Sequence, residues 1–236
     1  MKNPEIVYED KDIIVCYKPA GYPTESARIG QMDLISYLKN FLSARDKKNG
    51  IRSEIYVGMI HRLDQPVEGV LVFAKNKKAA AELSNQIRNN KLKKQYYCAA
   101  YGTVKDENAV LENYLKKGKD NLAHIVSAES DGGKLSRLSF EKIREVHVEG
   151  ESYTYLKIEL DTGRFHQIRA QLSNYGNPLL GDQKYGSEAS ANLSKKLNVK
   201  SVALCASRIE FVHPVTQKEM SLEVEPENSI FDLMND

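Results

Sequence analysis

"YTYLKIELDTGRFHQIRAQLSNYG", residues 153–176, joins two periodicities at one turn. In its first half Leu156, Ile158 and Leu160 alternate with Lys157 and Glu159. That period of two gives a strand one buried and one wetted face. Thr162 and Gly163 then form a tight turn. In the second half Ile168, Leu172 and Tyr175 recur at spacings of four and three, an apolar stripe on a short helix that should stop at Gly176. A strand that feeds a helix through so short a turn needs a sheet with helices packed on it.

The rest of the chain extends this pattern. "DIIVCYK" (12–18) and "GVLVFAK" (69–75) are short apolar runs with the length and β-branched content of buried strands. Leu34, Leu38, Phe41 and Leu42 recur at helical spacing, as do Ala79, Leu83 and Ile87, so an amphipathic helix is expected at each place. "QYYCAAYGTV" (95–104) and the Met220, Leu222, Val224 series alternate as strands do. Strands separated by turns as often as by helices predict an α+β fold, a mixed, mainly antiparallel sheet flanked by helices. "ESDGGKLSR" (129–137) reads as a surface connection. With no internal repeat or proline-rich linker, a single domain over residues 1–236 is expected.

Composition narrows the function classes. The chain is 41% hydrophobic and 28% charged, and no apolar stretch approaches the roughly 20 residues that span a bilayer. Glu5, Glu9, Asp10 and Asp12 come early without an apolar segment, so no secretory signal is expected. Cys16, Cys98 and Cys205 are odd in number and far apart, which suits reduced thiols in the cytoplasm and no structural zinc. A net charge of +2 identifies no partner by itself. Locally, Arg88, Lys91, Lys93 and Lys94 precede two tyrosines, and Lys116, Lys117 and Lys119 form a second cluster. Basic residues beside aromatics suit phosphate contacts next to base stacking, although lysine runs are also what a solvated surface looks like.

Two stretches carry chemistry. In "HRLDQPVEGVLVFAKN" (61–76), His61, Arg62 and Asp64 stand directly before a strand, where a rigid base can present reactive side chains. In residues 161–176, Arg164, His166 and Arg169 sit near a helix N-terminus that already favours an anion. The alternative is an arginine paired with a surface carboxylate and a histidine satisfied by structural hydrogen bonds. Spacing alone leaves both readings open.

"HRLD" before a strand, "KQYYCAAYG", "TGRFHQIRAQL" followed by "GNPLLGDQKYG", and "RIEFVHP" occur in that order. Together they resemble the RluA family of RNA pseudouridine synthases, and the likeness runs from "EDKDIIVCYKPAGYPT" to "KEMSLEV". It implies a catalytic domain alone, without a small S4-type RNA-binding domain before Tyr8. On these residues it also implies that Asp64 is the catalytic aspartate, that Tyr96 stacks on an extruded base, and that Arg169 pairs with the aspartate. A guanidinium beside a carboxylate would keep it ionised and oriented. Arg62, His61, Arg164, His166, Gln167, Lys93 and Lys94 are the candidate RNA contacts. The partner is then ribosomal or transfer RNA, with no cofactor, metal, membrane or obligatory protein partner, and a monomer is expected.

One departure stands beside the aspartate. The family pattern continues with Arg, a variable residue, Thr, Ser and Gly, whereas this chain has Gln65, Pro66, Val67, Glu68 and Gly69. Glu68 is expected in the turn, bonding backbone N–H groups or facing solvent. A second carboxylate near Asp64 raises a rival reading, a two-carboxylate or metal-dependent hydrolase of a nucleoside or glycoside, to which Asp161 and Asp182 could be recruited. A non-catalytic RNA-binding module is the third class. No His–Glu metal spacing or Ser–His pairing supports the hydrolase.

Overall fold

The structure is a computed structural model and describes residues 2–26, 30–51 and 54–234. The chain divides into two compact units, residues 1–92 with 207–225, and residues 93–206 with 226–236.

The first unit contains β1 (Glu5–Glu9), β2 (Ile13–Lys18), α1 (Leu34–Lys48), β3 (Gly58–Met59), β4 (Glu68–Ala74) and α2 (Lys77–Arg88). β1 pairs with β2, β2 with β4, and β3 with β4, each antiparallel. Every residue of β2 and β4 is buried, as their continuous apolar runs require. Ile13, Val15, Val70, Val72 and Ala74 form a core with Ala79 and Leu83 of α2. Asp33 caps α1 by accepting the Ser36 N–H, and Asn76 caps α2 by accepting that of Ala79. Leu34, Leu38 and Leu42 are buried as expected, but Phe41, placed in the same stripe from sequence, is 37% exposed.

The second unit contains β5 (Lys93–Tyr101), β6 (Asn108–Lys117), β7 (Ala123–Val126), β8 (Lys134–Val148), β9 (Glu151–Leu160), α3 (Gln167–Tyr175) and α4 (Glu188–Lys196). Its strands lie in the order β5-β9-β8-β6-β7, with antiparallel pairing throughout. The division between units falls within β10 (Leu204–Val212), which carries β11 (Glu219–Glu223) antiparallel on its later half. The α+β class with a mainly antiparallel sheet is therefore present.

One expectation about connections is corrected. Residues 129–137 are not all surface connection: after a short 3-10 turn at Glu129–Asp131, β8 begins at Lys134. Ser136, Leu138 and Phe140 are its buried positions, so the strand alternates with a serine in place of one apolar residue.

Candidate active site

Asp64 stands in the loop before β4, partly exposed, and both of its neighbours are tied to the segment after β2. On one side Thr24 Oγ1 donates to the Leu63 carbonyl at 2.9 Å and accepts the Leu63 N–H at 3.3 Å. On the other, the Gly21 N–H donates to the Gln65 carbonyl at 2.8 Å, and Gln65 Nε2 returns a bond to the Gly21 carbonyl at 3.0 Å. The Val67 N–H closes the turn onto the Asp64 carbonyl at 3.0 Å. A carboxylate fixed by backbone bonds on both flanks is the geometry a reacting group needs.

Beneath this loop lies a residue whose role is invisible in sequence. Lys18, fully buried at the end of β2, donates from Nζ to the carbonyls of Pro19 (3.1 Å), Tyr22 (2.8 Å) and Gln65 (3.1 Å). Three donors meet three acceptors, so the ammonium is saturated by the two loops it joins. Burial pulls its pKa down to about 7 against the opposing pull of the Asp64 and Glu68 charges. The "YKPAG" run was the only signal available, and its partner Gln65 lies 47 residues away.

Glu68 is not in the turn and does not face solvent. It is the first residue of β4, 3% exposed, and its Oε2 accepts the Tyr17 hydroxyl at 2.9 Å. Strand pairing of Lys18 with Gly69 carries Glu68 inward, and the hydroxyl of Tyr17 makes its burial tolerable. Arg62 is exposed, and His61 Nε2 accepts the Val72 N–H at 3.4 Å.

The other expected residues belong to the second unit. Lys93 and Lys94 open β5, with Tyr96 following, 5% exposed. Lys93 is exposed, whereas burial lowers the pKa of half-buried Lys94, whose Nζ lies so close to Gly163 that a Cβ there would meet it at 3.1 Å. Arg164 is exposed and donates from Nε to the Leu135 carbonyl at 3.0 Å. Gln167 is buried, and both ends of its amide hold the turn. Its Oε1 accepts from the Arg164 N–H (2.9 Å) and the Thr162 hydroxyl (2.8 Å), while Nε2 donates to the Arg137 carbonyl at 3.1 Å.

His166 precedes α3 with φ of 52°, a left-handed conformation uncommon outside glycine, in which histidine is among the enriched residues. Its ring stacks on Phe165 at 3.7 Å between centroids, and its Nδ1 lies 2.8 Å from the Tyr185 hydroxyl. The Lys117 ammonium sits 4.6 Å over Phe165. Tyr185 was missing from the sequence expectations, although "GDQKYG" contains it.

Within its unit Arg169 takes Asp182 as partner, through Nε to Oδ2 at 2.7 Å and Nη2 to Oδ1 at 2.8 Å. Asp182 Oδ1 also accepts the N–H groups of Lys184 and Tyr185. So engaged, Asp182 is a structural anchor and not the water-activating acid of the hydrolase reading. Asp161 is bound by Arg137 Nε at 3.0 Å on the surface.

Ligand atoms of Asp10, Asp12 and His213 lie within 4.8 Å of one another. His213 Nδ1, however, accepts the N–H groups of Val215 (3.2 Å) and Thr216 (3.0 Å). The ring proton then sits on Nε2, 2.8 Å from Asp10 Oδ2, and neither nitrogen presents a lone pair to a cation. The trio works as a hydrogen-bonded staple.

Residues 12–174 match the family model described as RNA pseudouridylate synthase. The uncharacterized RNA pseudouridine synthase YhcT of Bacillus subtilis is 32% identical over 91% of this chain and 66% of its own length. The dual-specificity RNA pseudouridine synthase RluA of Vibrio vulnificus is 28% identical over 93% of this chain and 82% of its own. This chain thus spans just under two-thirds of the first of these relatives. Human RNA pseudouridylate synthase domain containing 1 superposes with a TM-score of 0.76 at 18% identity, over 95% of this chain and 84% of that one.

Proposed function

The chain belongs to the RNA pseudouridylate synthase family, and on that ground we propose that it isomerises uridines in structured RNA to pseudouridine, with Asp64 as the group that opens the glycosidic bond. The observation that carries this reading is the double tether of the Asp64 loop, through Thr24 at Leu63 and through Gly21 and Lys18 at Gln65. Tyr96 and Arg169 keep the roles that the sequence resemblance gives them.

The reaction neither adds nor removes atoms. Uracil leaves the sugar through nitrogen, turns, and rejoins the same sugar through carbon, so one carboxylate suffices and no external water, oxidant or metal is required. A stacked uridine hides its glycosidic bond, and the nucleotide must be extruded at a cost of a few kcal/mol, offset by stacking and phosphate contacts. RNA is selected by shape and single-stranded context, so ribosomal and transfer RNA transcripts are the first substrates to test.

The experiment incubates the protein with each RNA in EDTA and follows both pseudouridine and free uracil. Pseudouridine without free uracil is expected from the unmutated protein. Asp64→Asn keeps the shape and loses the charge, so it should abolish product while leaving RNA affinity within about threefold. Release of uracil, or turnover of Asp64→Asn within about tenfold of the unmutated rate, overturns the assignment.

A further inference from the structure

Lys94 is the second residue of β5, and alternation along the strand puts its side chain on the face that Tyr96 shares, with Lys93 and Gln95 on the other. Gln95 pairs with Glu159, so Lys94 stands opposite the end of β9, where the turn of residues 161–166 leads to α3. Its ammonium lies against that turn: a Cβ on Gly163 would meet Nζ at 3.1 Å. Gly163 is exposed, and the lack of a side chain there keeps the end of Lys94 uncrowded.

An ammonium withdrawn from water needs acceptors or negative charge. Lys18 meets that need with three carbonyls. Lys94 does not: among the described residues its Nζ forms no hydrogen bond and no ion pair. Asp161, the one carboxylate of the adjoining turn, binds Arg137 Nε at 3.0 Å instead. Burial pulls the Lys94 pKa down, and no neighbouring charge opposes the pull. A half-buried cation without a protein anion is stabilised by an anion that arrives with the substrate. RNA brings one at a fixed place. Residues two apart on one face of a strand are separated by about 7 Å, close to the reach from a stacked base to the phosphate of its own nucleotide. Uracil and ribose are neutral and the phosphodiester carries a full charge, so the charge on Lys94 selects the phosphodiester.

We propose that Lys94 seats a phosphodiester of the extruded nucleotide beside the base on Tyr96, with Gly163 keeping the ammonium clear. This rests on the reading of Tyr96 as the residue on which the base stacks. Lys93, on the opposite face of β5, meets RNA outside this seat.

The test titrates uridine and the methyl esters of uridine 3′- and 5′-monophosphate, each with the single charge of an RNA linkage, into the protein. Backbone amide signals of Tyr96 and Gly163 are followed by NMR. One ester should bind about tenfold tighter than uridine, and which one it is names the linkage. Lys94→Met should bring that ester to within about twofold of uridine while uridine itself binds as before. Lys94→Arg keeps the charge and should keep at least about half of the preference. Esters no tighter than uridine on the unmutated protein overturn the proposal, as does a preference that survives Lys94→Met. An equal loss of uridine and ester in Lys94→Met also overturns it, since that marks a merely structural role. Should Lys94→Met fail to fold, Gly163→Ala decides, because it leaves the charge and crowds its end. A preference cut by about threefold or more supports the seat, and an unchanged one overturns it. Tyr96→Leu examines the underlying reading separately: it should weaken uridine and ester alike by about fivefold or more and leave their ratio. Uridine bound as tightly as before would remove Tyr96 as the stacking residue and with it the assignment to the extruded nucleotide, and the ratio would still show whether Lys94 holds the phosphate.

Discussion

Arg169 and Asp182 meet through two parallel N–H···O bonds with side chains 3% and 0% exposed. Such a fork fixes the plane of the guanidinium as well as its position, which lysine cannot reproduce. Burial alone would raise the Asp182 carboxyl, but the hydrogen bonds and charge of Arg169, with the N–H groups of Lys184 and Tyr185, hold it below the ordinary carboxylate range. Because the folded-state pKa lies below the unfolded one, this stabilisation is present above the ordinary carboxylate pKa and is lost as pH falls through the folded value. Asp182→Asn takes the charged, bidentate partner from buried Arg169, at an expected cost of about 3–5 kcal/mol. Urea unfolding at neutral pH and in acid checks this. The gap between the variant and the unmutated protein should be wide at neutral pH and should narrow in acid, and an equal gap at both counts against the pair.

At the scale of elements, the segment after α3 shows two glycines with positive φ and different reasons for it. Gly176 ends α3 at φ of 100°, and a Cβ there would meet nothing. Gly181 has φ of 73°, and its Cβ would collide with the carbonyl oxygen of Ser201, while its N–H donates to Ser194 Oγ at 2.8 Å. Gly176→Ala should therefore cost about 1 kcal/mol, the strain of the left-handed backbone alone. Gly181→Ala adds a steric clash and should cost about 3 kcal/mol or more while displacing Asp182. Unfolding midpoints of the two variants check the difference, and equal costs would mean that the backbone at Gly181 yields freely. These elements also show what the sequence made legible. β2 and β4 were readable as continuous apolar runs and β9 from its alternation, while α3 showed through Ile168 and Leu172 although it also buries Gln167, Arg169 and Gln171. α4 escaped because it buries Ser190 and Ser194 beside Leu193, and those serines serve the helix cap and the Gly181 N–H. Asp64 was marked as a candidate by the motif around it. Lys18 and Asp182 were not, because their roles rest on carbonyls and a guanidinium that only the fold brings to them.

Over the whole molecule, a net charge of +2 is too small to draw RNA by a global field, so affinity for a polyanion has to come from where the cations stand. Among the hairpin lysines, Lys116 donates to the Asp131 carbonyl at 2.7 Å and Lys117 lies over Phe165. Both therefore contribute to the second unit's own structure as well as to its charge. Lys119 is exposed at the turn between β6 and β7, and Lys93 is exposed at the start of β5. These two are the cleanest probes of phosphate contact, because truncating either disturbs little else. Each phosphate neutralised by a cation releases counterions, and the slope of log affinity against log salt changes by about 0.7–0.9 per contact. Lys93→Ala and Lys119→Ala should each weaken RNA binding across sequences and lower that slope by about this amount, with the rate at saturating RNA retained within about threefold. Asp64→Asn should leave the slope as it is, since a missing carboxylate releases no counterion. Titrations of one RNA at several potassium chloride concentrations measure all three variants alike. Unchanged slopes for both lysine variants would place the phosphate contacts elsewhere on the molecule, and a changed slope for Asp64→Asn would mean that the aspartate acts in binding and not in the chemical step.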